Sequence, residues 1–93
     1  ITRVSADEQL REHRTKIIDG ISEPVLKSLL DKLLEIEVLS DAEREEIEKE
    51  KTRGDKARVL VDMVRRKGND ASSDMIHLLT ELDPFFSEHL GLM

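Results

Sequence analysis

Val25-Leu26-Lys27-Ser28-Leu29-Leu30-Asp31-Lys32-Leu33-Leu34 repeats its apolar side chains at intervals of three and four residues. That spacing gathers Val25, Leu26, Leu29, Leu30, Leu33 and Leu34 into one wide stripe along a helix of period 3.6. Ser22 just before it is a cap candidate, and Pro24 falls near the first turn, where its missing N–H costs little. A stripe this broad reads as the core side of a helix that other helices cover, not as a membrane face.

The same reading extends in both directions. Upstream, Ser5 and Glu8 have capping-box spacing, and Leu10, Ile17, Ile18 and Ile21 recur at helical intervals until Gly20 ends or kinks the segment. Downstream, Ser40 and Glu43 repeat the capping box and open a short charged helix, with Ala42 and Ile47 as its inward positions. Gly54 and Asp55 break and recap the chain. Ala57, Leu60, Val61 and Val64 then follow at i, i+3, i+4 and i+7, and Lys67-Gly68 closes the fourth helix. Residues 70–82 form a fifth, with Met75, Ile76, Leu78, Leu79 and Leu82 apolar. Asp83-Pro84 is an N-cap and first-turn pair for a sixth helix carrying Phe85, Phe86 and Leu90. No period-2 run bounded by turns occurs, so no strand is expected. The sequence predicts an all-α protein: six mostly antiparallel helices with connections of about two to six residues. Residues 1–4 read as a loose lead-in and 5–92 as a single domain.

At 93 residues the chain can bury one core without staples. It has no cysteine, which removes disulfides, thiol nucleophiles and thiolate metal sites and fits a cytoplasmic location. No apolar run approaches the ~20 residues that span a bilayer, so no membrane partner is expected. The net charge of −6 opposes a nucleic-acid partner, and two phenylalanines as the only aromatics leave no stacking platform for bases. That total conceals blocks of opposite sign. Residues 1–34 are neutral, 35–50 carry −6, 51–68 carry +5, and 69–93 carry −5 with no lysine or arginine. A surface divided in this way attracts copies of itself or of a similarly divided partner.

The residues that could suggest chemistry do not form a catalytic set. His13, His77 and His89 fall on three different helices, without a His-x-x-x-His or Glu-x-x-His pair. Ser72-Ser73 lacks the glycine-flanked elbow of a nucleophile and is better explained by capping. Asp41, Glu43, Glu45, Glu46, Glu48 and Glu50 follow a helical pattern and lack the glycine-bearing loop of a calcium site. Arg65-Arg66-Lys67 suits the negative end of a helix dipole. No cofactor and no metal are expected, and the reading from residues alone is a small interaction domain.

Three stretches carry a family likeness. Leu29 to Leu34 followed by Val38-Leu39-Ser40 resembles the second helix and following turn of the caspase recruitment domain. Asp55-Lys56-Ala57-Arg58-Val59-Leu60-Val61-Asp62 with Lys67-Gly68 resembles its fourth helix. Asp83-Pro84 through Leu90-Gly91-Leu92 resembles its last, most closely in inflammatory caspase prodomains and their relatives consisting of this domain alone. The likeness runs in order over residues 5–92, although no single motif is specific. It implies a six-helix Greek-key death fold, often with a bent first helix, and homotypic contacts that nucleate filaments in inflammasome or apoptotic assemblies. By position it implies a basic patch of Arg11, Arg14, Lys56 and Arg58 and an acidic patch of Asp31, Glu35 and Glu45. Glu12 and Asp19 dilute the basic half.

The partners so implied are other proteins with this domain (a caspase, an adaptor or a nucleotide-binding receptor) and the chain itself, as a homo-oligomer or filament. An alternative is a decoy that caps or blocks such assembly. A third is the recruitment prodomain of a cysteine protease whose catalytic part lies elsewhere, since the chain opens on Ile1 like an excised domain. An independent hydrolase is disfavoured, because no catalytic residues converge.

Overall fold

A computed structural model of the chain describes residues 4–92. Its helices are α1 (Ala6–Gly20), α2 (Glu23–Glu35), α3 (Asp41–Glu48), α4 (Arg53–Arg66), α5 (Asn69–Leu82) and α6 (Pro84–Leu90). The lead-in expected at residues 1–4 lies, except for Val4, outside the described residues. No strand occurs among them. The all-α six-helix expectation is met.

Local chemistry sets most of the boundaries. The Ser22 Oγ accepts from the Val25 N–H at the start of α2, with Pro24 in the first turn. At α3 both halves of the capping box form: the Glu43 N–H donates to Ser40 Oγ and the Ser40 N–H donates to Glu43 Oε1. Asp83 caps α6 through the Phe86 N–H, with Pro84 as its first residue. Between α4 and α5 the chain turns at Gly68, whose φ of 109° would strain any residue with a Cβ.

Four local expectations give way. Ser5 makes no side-chain cap; the Ala6 N–H donates instead to Asn69 Oδ1 at the start of α5, 63 residues away. Thr52, not Asp55, caps α4 by accepting from the Asp55 N–H. Ala42 is exposed, so Ile47 alone anchors α3. Ser72 is not a cap: it lies fully buried within α5, on one face with Met75 and Leu79. α1 runs uninterrupted to Gly20, where the helix ends.

The core is built from the predicted stripes. Leu26, Leu29, Leu30 and Leu33 of α2 are all buried, as are Leu60, Val61 and Val64 of α4. α5 touches α1, α2, α4 and α6 and forms the centre of the bundle. α3 is peripheral and touches only α2 and α4. α1 and α4 run antiparallel, since Arg14 meets Asp62 while Ile18 lies against Gly54. Arg53 fastens the end of α1 by donating Nη1 to the carbonyls of Ile18 (2.6 Å) and Ile21 (2.9 Å), which would otherwise lack partners. Gly20 allows Phe86 of α6 to approach closely: a Cβ there would stand 2.5 Å from the ring's Cε1.

Candidate interaction surface

Two helix pairs carry the segregated charge. On α2, Asp31 and Glu35 are four residues apart and share an exposed face. α3 lies beside it and turns Glu45 to solvent, with no ion pair among the described residues. The negative charge of this block is partly paired from within, because Arg44 reaches two of its carboxylates. Its Nη2 lies 2.5 Å from Asp31 Oδ1, and its Nε lies 3.3 Å from Glu48 Oε1. Burial works against the Arg44 charge, but the hydrogen bonds to Asp31 and Glu48 outweigh it and hold its pKa above that of a free guanidinium. Glu35 lies 3.9 Å from Lys32. At the edge facing α4, Glu43 meets Lys67 at 2.8 Å. The hydrogen bond from Lys67 and the Ser40 N–H hold the Glu43 carboxyl below its ordinary range.

The basic residues do not form one patch. Residues two apart on a helix point about 200° away from each other, and Lys56 and Arg58 are separated accordingly. Lys56 borders a groove of about 380 Å³ with Glu23, Lys27 and Glu48, on the α2–α3 side of α4. Arg58 pairs with Asp55 and shares a face with Asp62, four residues on. Asp62 receives Arg14 in a forked contact, Nε to Oδ1 at 2.7 Å and Nη2 to Oδ2 at 2.9 Å. Arg11 is exposed one turn before Arg14. Arg11, Arg14 and Arg58 therefore line the α1–α4 seam, with Asp62 between them. The hydrogen bonds from Arg14 hold the Asp62 carboxyl below the usual aspartate range despite partial burial, with Arg65 and Arg66 adding to the effect.

Arg44 and Asp62 were not among the residues expected to matter. The available signal was their sign: Arg44 is one of two cations within residues 35–50, and Asp62 is one of two acids within 51–68. Sequence spacing shows the Arg44–Glu48 contact but not which α2 residue completes it. Among the described residues no group of three or more His, Asp or Glu converges on a common point, and no helix is long and apolar enough to cross a membrane. The arrangement that remains is two charged helix pairs of opposite tendency, each partly neutralised from within.

Comparison with known proteins bears on this arrangement. The family model described as the caspase recruitment domain matches residues 7–92. Caspase recruitment domain-containing protein 16 of Homo sapiens is 39% identical over 88 residues, covering 94% of this chain and 45% of that protein. Caspase-1 of Equus caballus is 42% identical over 88 residues, covering 94% of this chain and 22% of that protein. The chain thus spans less than half the length of either. The solution structure of ICEBERG, described as an inhibitor of interleukin-1beta generation, superposes with a TM-score of 0.83 at 36% identity, over 90% of this chain and 96% of that one.

Proposed function

Because the chain belongs to the caspase recruitment domain family, a homotypic protein–protein interaction module, we propose that it recruits partners by joining the α1–α4 seam of one molecule to the α2–α3 face of another. The observation that carries this reading is the division of charge between those two helix pairs. Arg11, Arg14 and Arg58 supply the basic side, and Asp31, Glu35 and Glu45 the acidic side. Lys56 stands apart from the seam and contributes from the edge of the acidic face. The partners are other proteins with this domain (a caspase, an adaptor or a nucleotide-binding receptor) and further copies of the chain, meeting in the cytoplasm. These residues carry no catalysis of their own.

Growth into a filament requires both faces on every subunit. Asp31→Arg or Arg58→Glu alone should abolish self-assembly, as read by light scattering and electron microscopy. Arg58→Glu should leave melting nearly unchanged, because exposed charges contribute only about 0–1 kcal/mol to folding, whereas Asp31→Arg sets a second cation against Arg44 and should melt lower while staying folded. Mixing the two variants leaves one native face on each chain and should restore small complexes but no filaments. Folded variants that assemble like the unsubstituted chain would refute the reading.

A second reading, a decoy that blocks assembly, is favoured by the likeness to ICEBERG, whose description is that of an inhibitor. A decoy would cap growing filaments of a partner domain and form none itself.

A further inference from the structure

We infer that Arg44 limits the affinity of the acidic face: it is an internal competitor that already occupies the carboxylates an incoming cation must reach. This rests on the reading of the α2–α3 face as a docking surface and adds what limits docking there.

The argument begins with geometry. Arg44 joins two elements, reaching Asp31 across the α2–α3 junction and Glu48 one turn along its own helix. Its side chain is 21% exposed, whereas Asp31 and Glu48 are 55% and 49% exposed. The guanidinium stem is thus seated against the protein while both carboxylates face solvent. An ordinary surface arginine swings freely and loses entropy when it pairs; this one has lost much of that freedom through packing and holds its partners more persistently.

Charge gives the consequence. Without Arg44, Asp31 and Glu48 would present two negative charges to a partner. With it, the trio presents one, and the carboxylate oxygens that face Arg44 are already accepting. A partner cation gains Asp31 only by displacing or sharing with Arg44, so part of its attraction is spent on an exchange of like contacts. Arg44 therefore keeps association through this face weak.

The test isolates one interface. The Asp31→Arg chain supplies only a basic seam and the Arg58→Glu chain only an acidic face, so their mixture forms a closed pair measurable by calorimetry. Arg44→Gln is then added to the Arg58→Glu chain, with Arg44→Met as a second variant that keeps an unbranched stem for packing. Lys49→Gln in the same background removes an equal charge from the C-cap residue that follows α3, without touching Asp31.

Both Arg44 variants should bind about two- to fivefold more tightly, the factor that corresponds to losing one competing surface ion pair. Lys49→Gln should leave affinity within the error of the parent pair. Equal affinity for all three, or weaker binding by the Arg44 variants, would overturn the inference; weaker binding would mean that Arg44 orients Asp31 for the partner. Equal tightening by Lys49→Gln would overturn it too, by reducing the effect to net charge. If the parent pair does not associate at all, the docking surface itself is refuted and the inference falls with it.

Discussion

Asp62→Asn isolates the contact that fixes the basic seam. The substitution preserves shape and one acceptor oxygen but removes the charge that Arg14 grips at 2.7 and 2.9 Å. Hydrogen bonds to charged groups contribute about 1.5–3 kcal/mol when protected, and exposed ion pairs about 0.2–1 kcal/mol. Arg14 and Asp62 are 33% and 23% exposed, so solvent screens them in part and the effect falls between these ranges. The expected loss is about 1–1.5 kcal/mol, a fall in Tm of roughly 4–10 °C for a domain of this size.

The pH dependence has a definite sign. Asp62 is held below the ordinary aspartate range in the folded chain. Its stabilisation is therefore complete above the unfolded value near ~4 and is lost as pH falls through the depressed folded value. Urea unfolding followed by far-UV circular dichroism should show the full gap between the two proteins at pH 7 and a progressively smaller one as the pH is lowered below the unfolded aspartate value. Arg14→Gln combined with Asp62→Asn should cost less than the two single effects added together. A gap below about 0.3 kcal/mol at pH 7, a gap unchanged in acid, or strict additivity would refute the argument.

Two further expectations concern the scaffold. Gly20→Ala should destabilise by about 1 kcal/mol, because the new Cβ would lie 2.5 Å from the Phe86 ring and displacing that ring outweighs the helix-propensity gain. In a Phe86→Ala background the same change should instead stabilise by about 0.5–1 kcal/mol; one sign in both backgrounds would show that the ring is not the cause. Leu30→Ala should cost about 2–5 kcal/mol in denaturant unfolding, since Leu30 is 3% exposed, and a negligible change would mean that α2 turns a different face to the core.

What could be read from the sequence lies within about one helical turn of itself. The α2 stripe, the Ser40–Glu43 box and the Asp83-Pro84 start each depend on residues three or four apart, and the structure contains them as expected. Burial followed as well, because apolar spacing on α2 and α4 leaves only one face that can be covered. Charge blocks were equally plain, being sums over neighbouring residues.

The other failures share one cause; the Thr52 cap of α4, a contact three residues long, was within reach of the sequence and was missed. Ser5 had the spacing of a cap but makes no side-chain bond, and the first N–H of α1 is met by Asn69 of α5. Ala42 had inward spacing on a helix too peripheral to be covered on that side. The candidate site divided in the same way. Its residue types were legible, yet whether Arg14 and Asp31 were free or already paired depended on Asp62 and Arg44, 48 and 13 positions away. Lys56 and Arg58 look adjacent in sequence and are separated by the helical twist. By itself the sequence determined six helices, the buried faces of α2 and α4 and the sign of each surface block, because those follow from periodicity and composition. Only the tertiary structure decided which charges neutralise one another, because an ion pair depends on a few ångströms of separation that helix packing sets and sequence distance does not.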